Sequence, residues 1–174
     1  MRIDQVPVPP DSLFNTYREG RRPERWIGGG DCFSVSVDRM VTLREFVFAF
    51  YSSPAFRVER FLLGVFAGAP SSDDEVQSLA DGSTTSFAVW NVGTRTATQL
   101  LLCDRYEKTR SWLQVVPADG HTELRFGSAV ATRPHRDTGA QSISWGFRWL
   151  MGFHVLYSRI LLGAAARQLR RHRS

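Results

Sequence analysis

The chain has 174 residues, room for about one domain, and a domain of that size buries roughly two-thirds of its unfolded surface, enough to stand without staples. Its 43% hydrophobic and 12% aromatic content excludes a disordered or collagen-like chain. The net charge of +5 rests almost wholly on arginine, since Lys108 is the only lysine among 22 basic residues, and such arginine use reflects genome composition as readily as phosphate recognition.

Residues 1–30 hold Pro7, Pro9, Pro10 and Pro23 ahead of Gly28, Gly29 and Gly30, which reads as an irregular N-terminal arm before the domain. The glycines precede a strand instead of following one, so a phosphate-binding loop is a poor match. This stretch also lacks the apolar core of a secretory signal. Two cysteines, Cys32 and Cys103, are too few for a disulfide framework or a zinc site. The expected compartment is cytoplasmic.

Asp31 to Asp38 alternates, with Phe33, Val35 and Val37 on one face, as in a half-buried strand. Thr42-Leu43-Arg44-Glu45 has the form of a capping box, in which hydroxyl and carboxylate satisfy the first free amides of a helix. That helix should run to about Tyr51 and break at Ser52, Ser53 and Pro54. A second short helix is expected from Ala55 to about Phe66, closed by Gly68 and Pro70. Residues 69–85, with Asp73, Asp74 and Glu75, read as a solvated loop.

From Ser86 onward the pattern is strand. Phe87–Val92 is followed by a turn at Gly93-Thr94, then by Ala97–Asp104, in which Leu100, Leu101 and Leu102 run together as if both faces were covered. A polar hairpin loop spans Arg105–Thr109, and Ser111–Val116 and Thr122–Thr132 flank a tight turn at Asp119-Gly120. Leu124 and Phe126 are expected on the core side, with Glu123 and Arg125 on the other. Pro134–Ser142 is a loop, followed by an edge strand at Ile143.

The last element is the longest helix, Gly146 to about Leu169, with residues 170–174 as a basic tail. At 100° per residue Arg148, Arg159 and Arg170 share one azimuth, opposite Phe147, Leu150, Met151, Tyr157, Leu161 and Ala165. A wet face and a broad apolar face suit a helix laid on a sheet. Its arginines interrupt any transmembrane span.

The expected class is therefore α+β, a single domain over residues 31–169: a curved antiparallel sheet, two short helices after the first strand, and a long C-terminal helix across the sheet. This order resembles the helix-grip arrangement of the START-like (SRPBCC) superfamily. Thr109-Arg110-Ser111-Trp112-Leu113, Leu124-Arg125-Phe126-Gly127-Ser128-Ala129-Val130 and the run from Gly152 to Leu162, with Phe153-His154 and Tyr157-Ser158-Arg159, resemble uncharacterised bacterial proteins placed in that superfamily. The resemblance implies a fold and a hollow between helix and sheet, and lends no established chemistry.

Within such a hollow His154 is the first polar candidate, one turn from Leu150, Tyr157 and Ser158. A desolvated imidazole would be a neutral base or a hydrogen-bond anchor; the plainer role is a core histidine paired with a carbonyl, Tyr157 or Ser158. Trp90, Trp112 and Phe126 are candidate walls, each of which also serves as ordinary packing. The charged hairpin from Asp104 to Arg110 binds a partner, guards a cavity mouth or is simply solvated surface.

His121, His135, His154 and His172 lack metal-ligand spacing, and no Gly-x-Ser-x-Gly elbow is present. No metal or cofactor is expected. Three functions follow, in order: binding an apolar small molecule such as a lipid, polyketide-like compound or aromatic metabolite; catalysis of cyclase or dehydratase type in the same cavity, with His154 and Tyr157 as candidate catalytic residues; and association with anionic surfaces through the arginine-rich tail. Specific nucleic-acid binding is not expected, because the basic stretches lack interleaved aromatics.

Overall fold

The computed structural model describes residues 1–15, 31–58, 71–105, 109–130 and 145–171; for residue 130 and residues 145–154 it describes the backbone alone. Seven antiparallel strands form one open sheet. In chain order these are β1 (Asp4–Val6), β2 (Asp31–Val37), β3 (Ser86–Phe87), β4 (Trp90–Arg95), β5 (Gln99–Asp104), β6 (Thr109–Ala118) and β7 (His121–Val130). Their spatial order is β1-β2-β7-β6-β5-β4-β3. Three helices accompany them: α1 (Leu43–Tyr51), α2 (Asp73–Asp81) and α3 (Trp145–Arg171).

Helix α1 starts where its capping box demands. The Thr42 hydroxyl accepts from Glu45 N, and the Glu45 carboxylate accepts from Thr42 N. Leu43, Phe46, Val47 and Phe50 then fall on one face and are buried. The chain turns at Ser52 and is helical again over residues 54–58; the rest of the expected second helix lies outside the described residues.

Helix α2 corrects the expectation of a solvated loop. Ser72 and Glu75 form a second complete capping box, Val76, Leu79 and Ala80 are buried at helical spacing, and Gly82 ends the helix at φ 76°. Asp73, Asp74 and Glu75 occupy the first turn, where acids are favoured by the helix dipole. At the other end Arg95 donates to the Leu79 and Ala80 carbonyls at 2.7 and 2.5 Å.

The strand boundaries also shift. The turn lies at Ala88-Val89, and Gly93 sits in β4 at a register shift between Val92 and Thr94. A bulge, not a turn, is what that glycine serves: a Cβ there would stand 2.9 Å from Cys103 Sγ. The tight turn at Asp119-Gly120 is present, with Gly120 at φ 73°. The loop over residues 134–142 and the expected strand at Ile143 lie outside the described residues.

Both faces of the sheet are covered. On one, Phe33, Val35, Val37, Leu100, Leu102, Leu113, Val115, Leu124 and Phe126 join α1, α2 and α3 in the main core. On the other, Cys32, Leu101, Trp112 and Ala129 are buried with Phe14 under the N-terminal arm, alongside Val6, Val8 and Leu13. The arm is thus part of the domain over residues 1–15: β1 pairs with β2, Leu13 N donates to Gln99 Oε1, and Phe14 stacks on Trp112. Likewise α3 continues to Arg171, so Arg170 and Arg171 belong to the helix and not to a tail.

Candidate functional site

The helix-facing side of the sheet changes character along its strands. Leu100, Leu113, Phe126 and Phe33 face one another in register across β5, β6, β7 and β2. Two residues further, towards the exit of β7, the corresponding positions are Leu102, Ser111 and Ser128, and both serines are buried. Beyond them Trp90 pairs with Asp104, whose carboxylate accepts from the Thr109 amide and hydroxyl at 2.9 Å and closes the β5–β6 hairpin. Hydrocarbon thus gives way to hydroxyls, a carboxylate and an indole.

Aromatic rings from α1 and its flank roof this region. Phe50 lies 4.8 Å from Phe126, and Tyr51 stands edge-on to Phe56 at 4.7 Å and to Phe87 at 5.4 Å. The Tyr51 hydroxyl reaches Ser111 Oγ at 3.2 Å inside this apolar surround. Trp90 packs on the same core, and its Nε1 is buried with no hydrogen-bond partner. A buried indole N–H normally finds an acceptor, and that of Trp90 has none among the described residues.

The predicted wall residues divide between the two faces. Phe126, Trp90 and the partly buried Tyr157 lie on the helix side. Trp112 does not: it faces the opposite side, fully buried under Phe14, with its Nε1 donating to Gln99 Oε1 at 2.9 Å. The reason is register, for Ser111 and Leu113 point to the helices and Trp112 between them must point away. It cannot line a space beneath α3. Leu150 and His154 lie in the first half of α3, and their side chains are outside the described residues.

Chain direction fixes which end of α3 is which. α3 runs antiparallel to β7, since Arg159 lies over Phe33 and Arg170 reaches Ser36 further along β2. Its far end is held by Arg170 Nη2 donating to the Ser36 carbonyl at 2.7 Å and by Arg39 Nε donating to the Leu169 carbonyl at 3.2 Å. Between these points Leu161, Leu162, Ala165, Ala166 and Leu169 pack in one cluster with Phe33, Val35, Val37 and Leu124. The second half of the helix is therefore sealed to the sheet.

A separate open groove of about 510 Å³ lies on the outside of α3, lined by Pro54, Ala55, Ile160, Ala164, Arg167, Gln168 and Arg171. Tyr51, Ser111, Ser128 and Gln99 went unnoticed in the sequence, and hydroxyls at strand positions carry no pattern by which to find them. Among the described residues no cluster of His, Cys, Asp or Glu could hold a metal ion, and no helix is long and apolar enough to cross a membrane. Against known proteins the chain matches no family model, no curated protein and no solved structure.

Proposed function

We propose that this protein binds an apolar small molecule bearing a hydrogen-bond acceptor, held between the polar end of the sheet and the first half of α3. The observation that carries this reading is the buried, unpartnered Nε1 of Trp90. Leaving such a donor unsatisfied costs about 1–3 kcal/mol, which a ligand carbonyl, carboxyl or ether oxygen would recover. Phe126, Phe87 and Tyr51 supply the apolar surround, and cavities for small ligands combine such walls with a few fixed polar groups. A lipid, polyketide-like compound or aromatic metabolite meets both demands. In this arrangement His154, Leu150 and Tyr157 belong to the helical wall, with His154 as the second polar anchor.

The test is a thermal-shift screen of the full chain against fatty acids and aromatic carbonyl compounds, repeated on Trp90→Phe. A stabilising compound whose shift shrinks in Trp90→Phe, while the unliganded variant keeps its melting temperature, supports the reading. No shift across the panel refutes binding, and an equal shift in the variant refutes the role of Trp90.

A further inference from the structure

The whole net charge of this protein sits on one helix. Of 22 basic and 17 acidic side chains, α3 contains five arginines and no acid, so the remaining chain is balanced, seventeen against seventeen. Arginines in the last turn would be expected from the helix dipole alone. Arg148 and Arg159 are far from that turn, so the dipole does not explain a 27-residue helix without one carboxylate.

The solvent-facing stripe of α3 is also unusual in what it leaves bare. At 100° per residue Leu156, Ile160, Ala164, Arg167 and Arg171 fall within about a quarter turn. Leu156 is 57% exposed and Ile160 45%, and Val58, in the helical segment 54–58 whose Pro54 and Ala55 line the groove, is 62% exposed. Arg167 and Arg171 are exposed at one end of the groove, and neither makes an ion pair among the described residues. Arg159 and Arg170 flank the stripe on its β2 side, one 5.4 Å from the Phe33 ring and the other bonded to Ser36.

We propose that this face docks on an anionic phospholipid bilayer, with Leu156, Ile160 and Val58 entering the headgroup–acyl boundary and Arg167 and Arg171 meeting phosphates. A protein partner would call for a core depleted of charge and anchored by large aromatics. Here aliphatic side chains are interleaved with uncompensated arginines, which suits a broad and uniformly negative surface. The inference stands apart from ligand binding, since it uses the opposite side of α3.

Co-sedimentation of the full chain with phosphatidylcholine vesicles, with and without roughly a third of phosphatidylglycerol, tests it at about 0.05 and 0.5 M salt. Binding is expected on the anionic vesicles at low salt and should be lost at high salt. Arg167→Gln with Arg171→Gln should weaken it about 25-fold, since each cation at an anionic surface contributes roughly a fivefold gain. Leu156→Ser with Ile160→Ser should weaken it with the charge unchanged, and Val58→Ser repeats that arm away from α3. Absence of pelleting with anionic vesicles, equal pelleting with neutral ones, or indifference to both the arginine and the aliphatic variants overturns the proposal. So does self-association or capture of another protein without vesicle binding.

Discussion

Trp112 lies across Gly127 on the adjoining strand: a Cβ added at Gly127 would stand 2.9 Å from Trp112 Cε3 and 3.3 Å from the Asp31 carbonyl. The two residues are register partners on the face away from the helices. Gly127 is there to make room for an indole clamped between Phe14 and the strand. Gly127→Val should destabilise the domain by about 1–3 kcal/mol through overpacking. Trp112→Leu alone should also cost stability, and the pair should cost less than the sum. Urea unfolding of the four proteins measures this; strict additivity would show that the two sites do not meet.

Thr122 ties the turn after β2 to β7. Its buried hydroxyl donates to the Arg39 carbonyl and accepts from Val41 N, both at 2.9 Å. Thr122→Val keeps the shape but orphans two backbone groups. A loss of about 1–3 kcal/mol is expected, with hydrogen exchange rising at Val41 more than at Leu124.

Arg95 caps α2 from the sheet, and burial pulls its guanidinium below the usual range while Asp81 pulls it up. Arg95→Met should free the Leu79 and Ala80 carbonyls and loosen α2 by about 1–3 kcal/mol. Ser72→Ala, at the opposite end, should cost about 1 kcal/mol. Protease susceptibility over residues 71–85 reads both variants against the intact chain.

Burial pushes the Cys32 thiol up to about 11, with Arg125 lowering it and Glu123 raising it by smaller amounts. The folded state therefore favours the neutral thiol. Its contribution to stability is complete below pH 9 and is lost as pH climbs from 9 towards 11. In Cys32→Ala that part of the alkaline decline should flatten. At pH 8 a thiol reagent should modify the partly exposed Cys103 well before Cys32, whose reaction should track unfolding.

The main periodicities could be read directly. Phe33, Val35 and Val37 point inward as their alternation demands, Leu101 is buried on the face opposite Leu100 and Leu102, and Thr42 with Glu45 marks α1 correctly. The same box at Ser72 and Glu75 was hidden by the acids between them, which look like solvated loop until Val76, Leu79 and Gly82 are weighed with them. Gly93 misled for a related reason, because a glycine in a bulge and a glycine in a turn look alike in one dimension. Which way Trp112 faces depends on its neighbours across the sheet, and no local pattern encodes that. The polar end of the inner face is likewise a product of register: Ser111 and Ser128 are 17 positions apart and meet only because β6 and β7 pair.

The order in which this chain is made imposes a waiting period. Phe14 and Leu13 emerge early, but their partners Gln99 and Trp112 lie nearly a hundred residues later. Every strand, in turn, is synthesised before α3, which must cover Phe33 and Leu124. During translation a greasy, half-built sheet is therefore exposed to its neighbours, and such intermediates are prone to aggregate. Yield on expression should depend on chaperone supply, and slowing translation within residues 131–144 should lower it by prolonging the time that surface stays uncovered.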